Sequence, residues 1–259
     1  MTKKETEELA KKTNLQFNDD TSLLVKIIET KSDDFIYRIT ETTNSQTPIK
    51  AFSLKANDDI QKLIEKYFEN AGISYERRIN SLRNKGKKNI YSIQKLFQLF
   101  TSQILFKPSQ VKTRPKAMFN LTYDNVFPSS DVKVVNYVLY LVPVKVDIAL
   151  NKAIKNYYKE TPAVDSYIRT LIAYGKFHLG CFILSSILKN KYSEKGIVSE
   201  EAKIMKELEN NSLVHFKDAL VTFEKIMKAF AGNKKESIPS EIRKTELDNR
   251  IAKFIKSRT

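Results

Sequence analysis

The chain has 259 residues, with 45 Lys and Arg against 30 Asp and Glu, a formal charge of +15, and 41% hydrophobic and 10% aromatic residues. That apolar content is enough for a core and excludes a disordered basic tail. Six Gly, and no GxxxxGK[ST] or GxGxxG string, leave little for a glycine-rich phosphate loop. One Cys (Cys181) and two His (His178, His215) exclude a disulfide framework and a zinc site of the usual Cys/His kind.

The amino end, MTKKETEELAKKTNLQ, has no apolar h-region, so no secretory signal is expected. Residues 1–22 read as a helix followed by a loop. Leu23–Thr30 (LLVKIIET) is rich in β-branched residues and reads as a buried strand. Asp33–Thr42 puts Phe35, Ile36 and Ile39 on one helical face, and the loop TTNSQTPIKAFSL follows. Asn57 is the expected N-cap of the next helix, with Asp58 and Asp59 at the positive end of its dipole. Ile60, Leu63, Ile64, Tyr67 and Phe68 form its apolar stripe, ending near Gly72. Ile90–Leu105 repeats that pattern.

Pro108, Pro115 and Pro128 mark residues 108–130 as a connecting region. The expected division is an α+β segment over 1–107 and a helical domain over 131–259. In the latter, 131–159 is a long helix kinked or broken at Pro143, followed by helices over 162–191, 199–231 and 240–256, with Ser199 and Ser240 as starts. The longest apolar run, Val134–Val144, is shorter than the about 20 residues a membrane helix needs, and reads as a buried helix. The fold class is mostly α (α+β), a helical bundle with one or few strands near the amino end. The unpaired Cys and the lack of an export signal point to the cytoplasm.

The charge is concentrated. Residues 1–70 carry −2, residues 71–120 carry +10 and residues 121–259 carry +7. The middle segment holds YERRINSLRNKGKKN and KPSQVKTRPK. Clustered Lys and Arg are the electrostatic footprint of a polyanion-binding face, although a solvated loop has the same composition. Tyr75, Arg77 and Arg78 combine an aromatic with two guanidinium groups, suited to stacking and phosphate contact. Arg83, Lys85, Lys87 and Lys88 follow, then Lys112, Arg114 and Lys116. These ten residues are the candidate nucleic-acid contacts. The structural alternative is a strand or turn whose arginines pair with nearby acids.

Catalytic patterns are sparse. Asp20, the strand LLVKII, then Glu29 and Lys31 have the layout of a PD-(D/E)xK nuclease, in which carboxylates hold Mg²⁺ and a Lys positions water. Asp19-Asp20 equally suits a turn. The Arg-x4–6-His spacing of helical RNases is not met by Arg169 and His178. His178, between Phe177 and Leu179, reads as a core histidine, and Cys181 as a packed, inert thiol. His215 has no acid or nucleophile at a recognisable spacing. The chain reads as a non-enzymatic module that needs no cofactor. The alternatives are the Mg²⁺-dependent nuclease and a module docking on a separate partner through an exposed edge at Leu23–Ile28.

TNSQTPIK at 43–50, with VKIIET before it, LKANDDIQ at 54–61 and YERR at 75–78, resembles the AIPR family of bacterial abortive-infection phage-resistance proteins. Asn44, Gln46, Asn57, Asp58 and Gln61 carry the likeness with YERR. It covers about residues 23–120, and YGKFH at 174–178 resembles the family more faintly. The resemblance implies phage defence in the cytoplasm, acting on nucleic acid, with no membrane. Family members are usually longer, with an amino-terminal portion ending in an NGGQT-like motif. That motif is absent here, so the chain resembles the carboxy-terminal portion, and a separate protein could supply the rest.

Overall fold

The computed structural model describes residues 51–78, 81–82, 86, 87, 89–129 and 135–257. The expected strand at Leu23–Thr30 and helix at Asp33–Thr42 lie outside them. The first described helices are α1 (Ala51–Leu54) and α2 (Asp59–Asn70). Along α2, Ile60, Ile64 and Phe68 are buried on one face, as the spacing predicts. The chain leaves the helix through Gly72 at φ +70°, a conformation open to a residue without Cβ. The N-cap is Asp58 rather than Asn57. Its carboxylate makes no bond to the helix and instead accepts from Tyr123 Oη at 2.8 Å.

Two short strands follow, β1 (Ser74–Glu76) and β2 (Ile90–Ser92). They pair in parallel, with Tyr75 opposite Tyr91. A parallel pair needs a crossover rather than a tight turn, and the basic residues 77–89 provide it. The expected helix over 90–105 is therefore a strand and then α3 (Ile93–Gln103). Ser92 makes the switch, its Oγ accepting from Lys95 N at 3.2 Å as an N-cap.

Residues 108–130, expected to connect two parts, instead contain α4 (Pro108–Thr113) and α5 (Pro115–Val126). Each proline sits at the start of its helix, where no amide hydrogen is needed, so these prolines begin helices rather than break them. Met118, Phe119, Tyr123 and Val126 enter the common core, and Ile49–Thr259 is one compact unit.

The remaining helices are α6 (Val138–Glu160), α7 (Ser166–Tyr174), α8 (Lys176–Leu188), α9 (Glu194–Ser199), α10 (Glu201–Asn210), α11 (Ser212–Ala231), α12 (Ile238–Glu241) and α13 (Thr245–Lys256). Helix α6 continues through Pro143. The expected single helices over 162–191 and 199–231 are each divided. At Gly175 the chain bends by 89° between α7 and α8. A Cβ there would lie 2.4 Å from Phe223 Cε1 and 2.6 Å from the Leu171 carbonyl, so the corner requires glycine. Ser240 lies inside α12, and Lys244 rather than Ser240 precedes the last helix.

Helix α8 is the hub. It is apolar nearly all round and packs against α11, α3, α6 and α4. Phe97, Phe119, Phe216 and Phe223 are fully buried in the surrounding layers. Among the described residues the architecture is mostly α with two short strands, as the sequence predicts. No single described helix is long and apolar enough to cross a membrane.

Candidate nucleic-acid interface

The YERR segment and the helix before it are interlocked. Tyr75 is buried, and its hydroxyl donates to Gln61 Oε1. Gln61 Nε2 donates to Tyr123 Oη at 3.2 Å, and Tyr123 Oη donates in turn to Asp58 Oδ2 at 2.8 Å. Lys55 completes the relay, 3.5 Å from Asp58 Oδ2 and over the Tyr123 ring. Burial pushes the Tyr75 and Tyr123 hydroxyls well above the usual phenol range. Glu76 turns outward, and its Oε1 accepts from Leu82 N at 3.1 Å, pinning the crossover. Arg77 is held twice, Nε to Glu65 Oε2 at 2.7 Å and Nη1 to the Ala56 carbonyl at 2.7 Å. Arg78 is exposed, with one long contact of 3.3 Å from Nη2 to Asn57 Oδ1.

The candidate contacts therefore divide. Tyr75 is not presented for stacking on a base, because its ring lies in the core against Phe68. Arg77 has two of its five donors, on Nε and Nη1, committed to Glu65 and Ala56, which realises the structural alternative for this residue. Lys112 is also held, its Nζ donating to the Tyr174 carbonyl and lying over that ring. Burial, then the neighbouring Arg243, bring its pKa down to about 8. Arg78, Lys87, Arg114 and Lys116 are exposed. None of the four has an acidic partner among the described residues. Arg83, Lys85 and Lys88 lie outside the described residues. Beside Arg77 a recess of about 140 Å³ is lined by Phe52, Ser53, Glu76, Ser92 and Gln94.

A second junction gathers the YGKFH residues. Lys176 Nζ donates to Asn151 Oδ1 at 3.1 Å, and Asn151 Nδ2 donates to the Asp147 carboxylate and carbonyl. Asp147 is buried and also accepts from Tyr91 Oη and Lys95 Nζ, each at 3.0 Å. His178 is fully buried, with Nε2 3.0 Å from Ser109 Oγ and its ring stacked on Phe223. Burial, reinforced by Lys112, pushes its pKa down to about 3, so it is a neutral core histidine as expected. Asp248 of α13 accepts from Ser109 N and Gln110 N, capping α4 from a distant part of the chain. Cys181 is buried, donates to the Ser102 carbonyl, and has its thiol pKa raised by burial, as an inert thiol should.

His215 departs from the expectation. It lies between Ser186, 2.8 Å from its Nδ1, and Glu207, 3.0 Å from its Nε2. The three residues come from α8, α10 and α11, so no local spacing announces them. The nuclease residues Asp20, Glu29 and Lys31, the edge Leu23–Ile28, and Asn44 and Gln46 lie outside the described residues. Among the described residues no group of three or more His, Cys, Asp or Glu is placed to hold a metal ion.

No curated protein and no solved structure matches the chain. The family model described as AIPR protein matches residues 4–237. That range extends past the resemblance at 23–120 in both directions and takes in the second junction as well as the first. Both interlocked motif regions thus lie inside one family match covering most of the sequence, and the chain belongs to the AIPR family of abortive-infection phage-resistance proteins.

Proposed function

We propose that this phage-resistance protein contacts nucleic acid through a basic surface presented by the 77–89 crossover and the start of α5. The observation that carries the reading is that the fold satisfies Arg77 and Lys112 internally while leaving Arg78, Lys87, Arg114 and Lys116 exposed without acidic partners among the described residues. Exposed cations in the segment with the greatest charge excess gain free energy by displacing counterions from a phosphate backbone. The chemistry recognises phosphate rather than base edges, which implies binding with little sequence preference.

The test is fluorescence anisotropy with a short labelled RNA and a labelled duplex DNA, comparing the intact chain with Arg78→Ala/Arg114→Ala/Lys116→Ala. The expected result is affinity weakened by about tenfold or more at about 50 mM salt. The two probes report which nucleic acid is preferred. An affinity of the variant equal to that of the intact chain for both probes would contradict the assignment.

A further inference from the structure

We propose that Ser186, His215 and Glu207 form a hydrolytic site for carboxylic esters, independent of the basic surface. Ser186 Oγ is 2.8 Å from His215 Nδ1, and His215 Nε2 is 3.0 Å from Glu207 Oε2. Asn211 Nδ2 donates to the same Glu207 oxygen at 2.8 Å and fixes the carboxylate. These contacts lower the Glu207 pKa, the Asn211 bond contributing most. With the proton on Nε2, facing the ionised Glu207, Nδ1 is free to accept; the Ser186 hydroxyl, which donates to the Ile183 carbonyl at 2.9 Å, has only to rotate its hydrogen onto Nδ1 to be activated. That is the nucleophile, base and orienting-acid order on which activated serines depend.

The surroundings add independent observations. Ser186 opens on a cavity of about 620 Å³, which Ser185, Lys189, Asp218 and Thr222 also line. Ser185 is buried on that wall, and its Oγ has no hydrogen-bond partner. Lys189, on the same wall, has φ +51° and ψ −122°, a conformation that a residue with a Cβ adopts only under constraint. Phe182, Ala219 and Val221 supply an apolar side suited to a short acyl chain.

In the step this geometry permits, Ser186 Oγ attacks the ester carbonyl carbon while His215 Nδ1 takes the hydroxyl proton. The tetrahedral oxyanion is met by the Lys189 ammonium on the cavity wall. The carbon–alkoxide bond breaks and the alcohol leaves with the proton from Nδ1. Water, deprotonated by the same nitrogen, then releases the carboxylic acid and restores Ser186. His215 keeps its Nε2 proton throughout, donating it as a hydrogen bond to the Glu207 carboxylate, whose charge stabilises the imidazolium. Ester and water give acid and alcohol, with no redox partner.

The test is labelling of the purified full chain with an alkyl fluorophosphonate, with the adduct located by peptide mass mapping, alongside release of nitrophenol from p-nitrophenyl butyrate. The expected result is one adduct on Ser186, absent from Ser186→Ala, and labelling slowed about 100-fold in His215→Gln. Glu207→Gln slows it as well, and circular dichroism checks that each variant folds. No adduct on Ser186 in the unaltered chain overturns the proposal whatever the variants do. An adduct formed at the same rate in folded His215→Gln also overturns it. Neither outcome bears on the basic surface.

Discussion

The Tyr75–Gln61 bond offers a direct test of whether YERR is structural at its first residue. Tyr75→Phe keeps the ring and removes the hydroxyl, leaving Gln61 Oε1 buried without a donor. Gln61→Met keeps most of the volume and leaves the Tyr75 hydroxyl buried without an acceptor. Each unmet buried group costs about 1–3 kcal/mol. Tyr123 loses Gln61 Nε2 in the second variant but still donates to Asp58. The double variant removes both unmet groups, so it is less destabilised than the sum of the singles by about 1–2 kcal/mol, within the coupling range of residues in contact. Equilibrium urea unfolding followed by far-UV circular dichroism gives the four stabilities. Additivity within about 0.5 kcal/mol would refute the relay. Tyr75→Phe should leave nucleic-acid affinity unchanged.

Three further outcomes follow from the same geometry. Arg77→Ala removes charge-assisted bonds to Glu65 and Ala56 and should cost about 1.5–3 kcal/mol in urea unfolding, whereas Arg78→Ala should stay within about 0.5 kcal/mol; equal costs would contradict the division between them. His178 is held neutral with a pKa of about 3, against an ordinary value of 6.5, so its contribution is complete above about pH 6.5. As pH falls from there towards 3 the unfolded chain takes up a proton that the folded chain refuses, and stability declines by up to about 1.4 kcal/mol per pH unit. His178→Gln should flatten that acid slope relative to the unaltered chain, and an unchanged slope would contradict the assignment. Gly175→Ala drives a Cβ into Phe223 and the Leu171 carbonyl and should cost about 1–3 kcal/mol, read as a lowered urea midpoint; an unchanged midpoint would show that the corner is looser than its geometry.

The periodicity of apolar residues was a reliable guide wherever a helix buries one face, as in α2 and α3. It failed where the break is imposed by packing. Nothing local at Gly175 says that Phe223 will occupy the space a Cβ needs. The prolines at 108 and 115 punctuate the sequence in the way a linker does, yet the first position of a helix tolerates them equally well. Side chains that act across long separations left no pattern: Asp248 caps α4 from a distant helix, and Glu65, not Glu76, pairs with Arg77. The same limit explains the site residues. Charge clustering located the basic segment, but only the fold distinguishes the guanidinium locked on Ala56 from those open to solvent. The Ser186, His215 and Glu207 contacts arise from three helices meeting, which sequence spacing does not encode.

The most direct test of the nucleic-acid reading is the dependence of affinity on salt. With Arg78, Lys87, Arg114 and Lys116 on phosphates, the plot of log affinity against log salt should fall with a slope of about −3.6 on duplex DNA or about −2.8 on a single strand. Replacing Arg78, Arg114 and Lys116 by alanine should reduce that slope by about 2–3. A flat salt dependence in the unaltered chain, or the same slope in the variant, would contradict the account.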